Sequence, residues 1–526
     1  GGIKVRPDVK VTGGGLQLTA AARPDGKDRV LEVRITSRDL AAIQYGVDGE
    51  RPLRWSEPFT AWLRGRRGPG RRDRLRVEEA RIASPAVELA ATGTADSSTV
   101  QWTVDIDKLM AEAAEVLDIK AVSLRGAARG TLAVSRLATT GVSTGQLSAA
   151  FTDFSYAAAG RPTWADKDIT IEAEATGSGA GAAWLIDAAR AQVNADGDTL
   201  ETTLAGGAIV DPQALLAAVT GGEAGADAAW VRTAPDAEML AVECTIAGDL
   251  GRWQARGEAV GGATGVALGG DLKAGAAVAA RGNAWQITRA NLEIEKLSAT
   301  PARGSWQIKE PRLVATAAGL VDPARGTVEV SSAEVLTATL SLRTGGATVA
   351  LPPAAAAGID RRSLIDRVRG KVQWQADLGR LEKWAVAPAT VARWPASGRA
   401  WGTAEVLDTP AGVNLLVEVT GNQLVVARGG SGTPLAGAAT PPQPVWVEPR
   451  AGLVVEVTQP RGAAEQAAAG ITINRLALDS STMGLAATGS IRDGADRPVV
   501  ELAGTVSYDW SQLSRLLTPW TGGGVQ

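Results

Sequence analysis

Apolar and polar residues alternate along most of this chain. Val100, Trp102, Val104 and Ile106 interleave with Gln101, Thr103 and Asp105, the period of a strand with one buried face. Leu31, Val33 and Ile35 alternate in the same way with Glu32, Arg34 and Thr36, and Ile169 and Ile171 with Thr170 and Glu172. Leu415, Val417 and Val419 bracket Leu416 and Glu418, and similar runs cover 453–457 and 500–506. Turn formers such as Asn194-Ala-Asp-Gly197 and Arg492-Asp-Gly494 separate the runs. The pattern predicts a mainly β fold, an elongated meander of antiparallel hairpins.

At a few places the period changes from two to that of a helix. After Asp105, apolar residues fall at Leu109, Met110, Ala113, Val116 and Leu117, with Glu112 and Glu115 between them. An aspartate just before such a turn accepts the free N–H groups of the helix start. The same Asp-to-Leu step occurs at Asp211–Leu215, Asp360–Leu364 and Asp509–Leu513, and Pro212 after Asp211 suits a first helical position. These aspartates are read as helix caps and not as catalytic acids.

One strand-to-helix unit recurs. Trp102, Asp105, Leu109, Gly126, Gly130, Thr131 and Val134 reappear as Trp374, Asp377, Leu381, Gly398, Gly402, Thr403 and Val406, each 374 − 102 = 272 residues later. The segment LAATG, at 89–93 and again at 485–489, precedes another such step. The expectation is one elongated repeat assembly over 1–526, with units near 74–135, 345–406 and 473–526. The glycines of the repeat are expected where the chain turns into the next strand.

Composition narrows the chemistry. Hydrophobic residues make up 45% of the 526 residues, with three Phe and three Tyr against 16 Trp, so a face lined by small aliphatic side chains is expected. A net charge of −3 does not suit a dedicated nucleic-acid binder. Histidine is absent, which removes Ser–His catalysis, histidine bases and the usual zinc, copper or iron sites. The single cysteine, Cys244, forms no internal disulfide and reads as a small core residue beside Val242 and Thr245. Gly126-x3-Gly130 lacks the lysine of a phosphate loop. No metal site, cofactor or catalytic residue is implied, and the chain reads as non-enzymatic. No apolar run reaches about 18 residues, so no transmembrane helix is expected, and the opening Gly1-Gly2-Ile3 reads as the start of an internal piece of a longer chain.

Three segments carry further candidate features. Arg64, Arg66, Arg67, Arg71, Arg72, Arg74 and Arg76 surround Gly68-Pro69-Gly70, a hairpin tip that is either a solvated loop or a contact for anionic lipid or polysaccharide. Trp164, Trp230, Trp253 and Trp306 fall near turns or strand starts, where core packing competes with stacking on sugars. Residues 428–444, rich in Gly, Pro and Thr, read as a flexible connecting loop.

Residues 473–520, INRLALDSSTMGLAATGSIRDGADRPVVELAGTVSYDWSQLSRLLTPW, and residues 373–406, with ADLGRLEKW and ASGRAWGTAEV, resemble the AsmA-like and TamB-like bacterial envelope proteins. In that family a strand ending D-L-x-x-L leads through a short helix to S-G-x-x-x-G. The resemblance implies a long sheet curled into a groove, a β-taco with an apolar interior. It further implies a periplasmic location, with an inner-membrane anchor upstream of residue 1. Its implied role is phospholipid transport between the membranes or assistance to outer-membrane biogenesis, with envelope membrane proteins as partners. A sheet with one uncovered apolar face gives such transport a physical basis, since acyl chains complete the core. Val328, Val330, Leu340 and Leu342 are the candidate floor of that groove. The competing readings are a carbohydrate-binding or structural β-protein with stacking tryptophans, and a glycan-cleaving enzyme, which requires two facing carboxylates.

Overall fold

The computed structural model describes residues 9–46, 49–55, 58–68, 76–94, 96–116, 122–137, 141–180, 183–210, 231–233, 240–262, 264–281, 284–302, 306–323, 325–350, 367–384, 396–428, 443–460, 470–493 and 498–514. The loop expected at 428–444 lies, but for its ends, outside the described residues, as do Asp211, Asp360, Arg71, Arg72, Arg74 and Trp230. The chain divides into two compact units, 1–264 with 279–282 and 265–278 with 283–526.

In the first unit β1 (Val9–Asp25), β2 (Asp28–Gly46), β3 (Gly49–Trp55), β4 (Phe59–Arg67), β5 (Arg76–Ala83), β6 (Val87–Gly93) and β7 (Ser97–Asp105) lead into helix α1 (Ile106–Val116). Then β8 (Val122–Arg136), β9 (Ser143–Ala158), β10 (Trp164–Ala180), β11 (Ala183–Ala195), β12 (Asp198–Val210), β13 (Val231–Thr233) and β14 (Leu240–Asp249) lead into α2 (Leu250–Gly261). The division of the chain falls within β15 (Val266–Arg281). In the second unit β16 (Ala284–Pro301), β17 (Ile308–Asp322), β18 (Thr327–Thr337), β19 (Leu340–Ala350) and β20 (Val368–Asp377) lead into α3 (Leu378–Leu381) and a 3-10 turn at Glu382–Trp384. Finally β21 (Ala396–Thr409), β22 (Gly412–Arg428), β23 (Gln443–Gln459), β24 (Ile471–Ser480), β25 (Met483–Asp493) and β26 (Pro498–Tyr508) lead into a helical turn at 510–514.

The fold is mainly β, as the alternation predicts, and its ladders are antiparallel between neighbours in sequence, except that β2 also pairs with β4 and β12 with β14. Within each unit the sheet is open, and among the described residues no second sheet lies on it.

Pairing sorts the side chains into two opposed faces. Across β7–β12 and β14 one row runs Val100, Leu132, Leu147, Ala173, Ala191, Thr202 and Cys244. The next row on the opposite face runs Gln101, Thr131, Ser148, Glu172, Gln192, Glu201 and Thr245. In the second unit the row Ala315, Val335, Leu342, Trp374, Gly402, Val419, Leu453, Leu478, Leu485, Val506 crosses ten strands. Its opposite neighbour begins Thr316, Glu334, Arg343, Gln373, Thr403, Glu418. A period of two along each strand and a fixed register between strands thus convert local alternation into one apolar and one polar face in each unit.

Two local devices each recur four times, and they account for the 272-residue offset. A glycine in the left-handed region faces a non-glycine residue that is also left-handed: Gly14 with Asp39, Gly126 with Asp153, Gly270 with Lys296 and Gly398 with Gln423. At Gly126 and Gly398 the ladder slips by one residue, so these are bulges and not turns. From Gly126 to Gly398 the offset passes over Gly270, so it spans two recurrences. Each seven- or six-strand stretch ends in an aspartate that starts a helix. The Asp105, Asp249 and Asp377 carboxylates accept from the N–H groups of Lys108, Arg252 and Arg380, at 3.0, 2.8 and 3.1 Å. Asp509 accepts from the N–H of Ser511 at 2.9 Å. Removing one cap, as in Asp377→Ala, is expected to cost about 1 kcal/mol and to speed amide exchange in α3 alone; unaltered exchange there refutes the capping role.

Candidate functional site

The apolar face becomes concave on β8–β12, where its central positions carry almost no side chain. Gly145, Ala173, Ala175 and Gly177 form a low floor between Leu132 and Val134 on one side and Trp184, Ile186 and Leu204 on the other, leaving a groove of about 950 Å³. That is the upper end of the range for ligand pockets. Gly145 faces open space, since a Cβ there meets nothing within 4 Å. Trp184 is 56% exposed at the groove's edge. Cys244, half-buried on the same face, receives a hydrogen bond from Thr202, which lines the groove.

Paired bulges hold this face together. Ile186 and Trp184 have the wrong parity to share a face with Ala189 and Ala191, but β10 and β11 slip by one residue at Asp187, and β11 and β12 slip again at the same level. The neighbours each take an extra residue, so the apolar side chains beyond the bulge return to the apolar face. Val328, Val330, Leu340 and Leu342 depend on the same device. By simple counting Val330 opposes Val335 and Leu342. A slip between β17 and β18 at Ala318/Gly319, matched by one between β19 and β20 at Thr344/Ala347, brings all four onto the face of the Ala315–Val335–Leu342 row. All four are half-buried.

The polar ends of the strands are clipped to the helices by buried acids. Arg256 of α2, 7% exposed, lies between Asp166, 5% exposed, and Asp198, wholly buried. Its Nε and Nη2 donate to Asp166 at 2.9 Å, and its Nη1 donates to Asp198 at 2.7 Å. Arg252 makes a bidentate pair with Asp198 at 2.8 and 2.6 Å, the Asp249 N–H donates to Asp198 at 2.8 Å, and Trp164 donates its indole N–H to Asp166 at 2.6 Å. Burial pushes the Asp166 carboxyl up, but hydrogen bonds from Arg256 and Trp164 outweigh it and hold the pKa below the ordinary value. At Asp198 burial is likewise outweighed, here by Arg252, the Asp249 N–H and Arg256. The guanidinium of Arg256 also stacks 4.8 Å from the Trp253 ring.

The second unit uses carboxylates in the same place. Glu310 accepts from the Thr339 hydroxyl, from the Ala338 N–H at 3.0 Å and from the Trp384 indole at 3.0 Å. Glu448, fully buried, accepts from the Ser481 N–H and hydroxyl, both at 3.0 Å, and from Thr482 at 3.3 Å. The turns these acids hold are tied in turn to the capping aspartates, through Asp377 N–H to Thr339 O at 2.9 Å and Asp509 N–H to Thr482 O at 3.0 Å. These are satisfied structural carboxylates.

Arg64 and Arg66 sit on the polar face, with acids beside them. Arg66 pairs with Asp25 at 2.9 Å and Glu78 at 2.8 Å, and Arg64 lies 3.6 Å from Glu78. Arg67 ends β4 as an exposed residue. Of the tryptophans, Trp164 and Trp253 serve the α2 clip, and Trp306 is 38% exposed. Sequence reading missed Asp166, Asp198, Arg252, Arg256, Glu310 and Glu448, and the Trp-x-Asp and Trp-x-Glu steps at 164–166 and 446–448 were the available signal.

No helix among the described residues is long and apolar enough to cross a membrane, and no group of three or more His, Cys, Asp or Glu among them is placed to hold a metal ion. No protein-family model matches this chain, and no curated protein matches it.

Proposed function

We propose that this chain is a non-enzymatic lipid-binding protein of a bacterial cell envelope, whose apolar sheet face holds phospholipid acyl chains and carries them between inner and outer membranes. The observation that carries this reading is the mainly apolar row, seven strands in the first unit, where Thr202 is its one polar member, and ten in the second, with no second sheet against it among the described residues. Burying each methylene is worth about 0.8 kcal/mol, so a few turns of acyl chain against such a face suffice for firm binding. A floor of Val, Leu, Ala and Gly presents nearly the same surface from strand to strand, and passage along it requires no chemistry. The envelope location, the upstream anchor and the envelope partners rest on the resemblance of 373–406 and 473–520 to the AsmA-like and TamB-like proteins.

Mass spectrometry of organic extracts from the purified protein, against a control protein prepared alongside, tests the reading. Stoichiometric phospholipid is the expected result; an extract no richer than the control rejects it and turns attention to glycan binding through the exposed tryptophans. Replacing Val328, Val330, Leu340 and Leu342 together by glutamate is expected to lower the bound lipid while the far-ultraviolet circular dichroism stays that of a β protein. Unchanged lipid content in that variant removes these four residues from the floor.

A further inference from the structure

We propose that the groove on β8–β12 takes a phospholipid with a net negative headgroup, its acyl chains on the glycine and alanine floor and its phosphate on Arg136. This rests on the lipid-binding reading above and adds the headgroup class and the residue that selects it. Along β8 the apolar face runs Leu132, Val134, Arg136, so a guanidinium occupies the position where the alternation calls for an apolar side chain. Arg136 lines the groove at the end of the strand, is exposed, and pairs with no carboxylate among the described residues.

Its neighbour across the ladder is Ser143, whose own partner in β10 is Gly177. A hydroxyl donor therefore stands beside the guanidinium, with a bare backbone next to it. The other charged residues bordering the groove, Glu174 and Arg190, belong to the opposite face, and Arg190 is occupied by Glu201 at 2.7 Å. The charge offered on the apolar face is thus positive and located at one rim. A planar guanidinium fork matches two phosphate oxygens. Chains on the floor and a phosphate at the strand end give an amphiphile a single orientation, with its headgroup toward water.

The test uses phosphatidylglycerol and phosphatidylcholine with identical acyl chains carrying a terminal photoactivatable diazirine, supplied from vesicles to the full chain. Crosslinks are counted on peptides from residues 122–210. The wild-type protein is expected to favour phosphatidylglycerol about tenfold, the worth of one charge-assisted hydrogen-bonded contact. In phosphatidylcholine the same phosphate lies beside its own choline cation, so Arg136→Gln is expected to abolish that preference by lowering phosphatidylglycerol far more than phosphatidylcholine. Gly145→Leu, whose side chain enters the groove without meeting backbone, is expected to lower both. Equal crosslinking of the two lipids by the wild type, or a preference that survives in Arg136→Gln, overturns the headgroup assignment and leaves acyl-chain binding standing. If Gly145→Leu crosslinks like the wild type, the lipid is not in this groove. No crosslinking of either lipid overturns this proposal and the lipid-binding reading together.

Discussion

Arg256→Ala is expected to cost about 3–5 kcal/mol, because it strands buried carboxylates that were paired. Asp166 is the more damaged partner: Asp198 keeps its bidentate contact with Arg252, whereas Asp166 keeps the Trp164 indole but loses its cationic partner. Loss of α2 packing follows, read as accelerated amide exchange in α2 and in the starts of β10 and β12. The pH dependence supplies a second readout. In the native protein Asp166 and Asp198 have pKa values below the ordinary 3.8, so their stabilisation is present above that value and lost as pH falls through the lowered ones. Without Arg256, burial prevails at Asp166 and pushes its pKa above 3.8. That carboxyl then takes up a proton earlier in the folded state than in the unfolded one, and the variant's deficit shrinks as the pH is lowered from neutrality. A deficit below about 1 kcal/mol, or one that widens on acidification, contradicts the assignment of Arg256 as the centre of the clip.

Gly126→Val is expected to cost roughly 2–4 kcal/mol, combining backbone strain with a forced shift. The glycine sits at φ +113°, and an added Cβ falls 2.6 Å from the Thr152 carbonyl oxygen and 2.8 Å from that of Asp153. No rotamer relieves a clash with backbone, so β8 and β9 must separate at the bulge. Gly398→Val meets the Gln423 carbonyl at the same 2.6 Å, at φ +119°, and is expected to behave alike. In a repeat assembly such damage stays near its source. Hydrogen exchange should therefore rise on β8–β9 for the first variant and on β21–β22 for the second. A valine tolerated at both positions with native exchange discards this account of the repeat.

The strands and three of the caps were legible because their signals are local. Alternation at Val100–Ile106 or Leu415–Val419 needs only the pleat, and Asp105, Asp377 and Asp509 announce themselves by standing where the period changes. The Asp249 cap was not legible, since α2 opens with Leu-Gly-Arg and carries a second glycine at 257, which weakens the helical pattern. Parity also misleads wherever a bulge intervenes. Val328 and Leu342 were grouped on one floor, and they share it only because two slips cancel, which no count along a single strand reveals. The groove was invisible for a related reason: it is made by what Gly145, Ala173, Ala175 and Gly177 lack. Scanning for large apolar residues finds walls and passes over the floor between them. The acid clips were hidden because Asp166 and Arg256 are ninety positions apart and only the fold makes them partners.

The coupled slips at Asp187 and Gly206–Gly207, and again those on the two sides of the β18–β19 pair, mean that strands here cannot change length one at a time. A deletion confined to Asp187 would remove the slip against β10 and enlarge the one against β12, leaving both Gly206 and Gly207 without a partner in β11. A matching deletion next door would restore the pattern while leaving both strands shorter. Gains and losses of residues in such a chain should therefore travel in couples, seated at equal height on adjacent strands. Drift in its sequence is constrained less by which side chain stands at a position than by whether the neighbour keeps count.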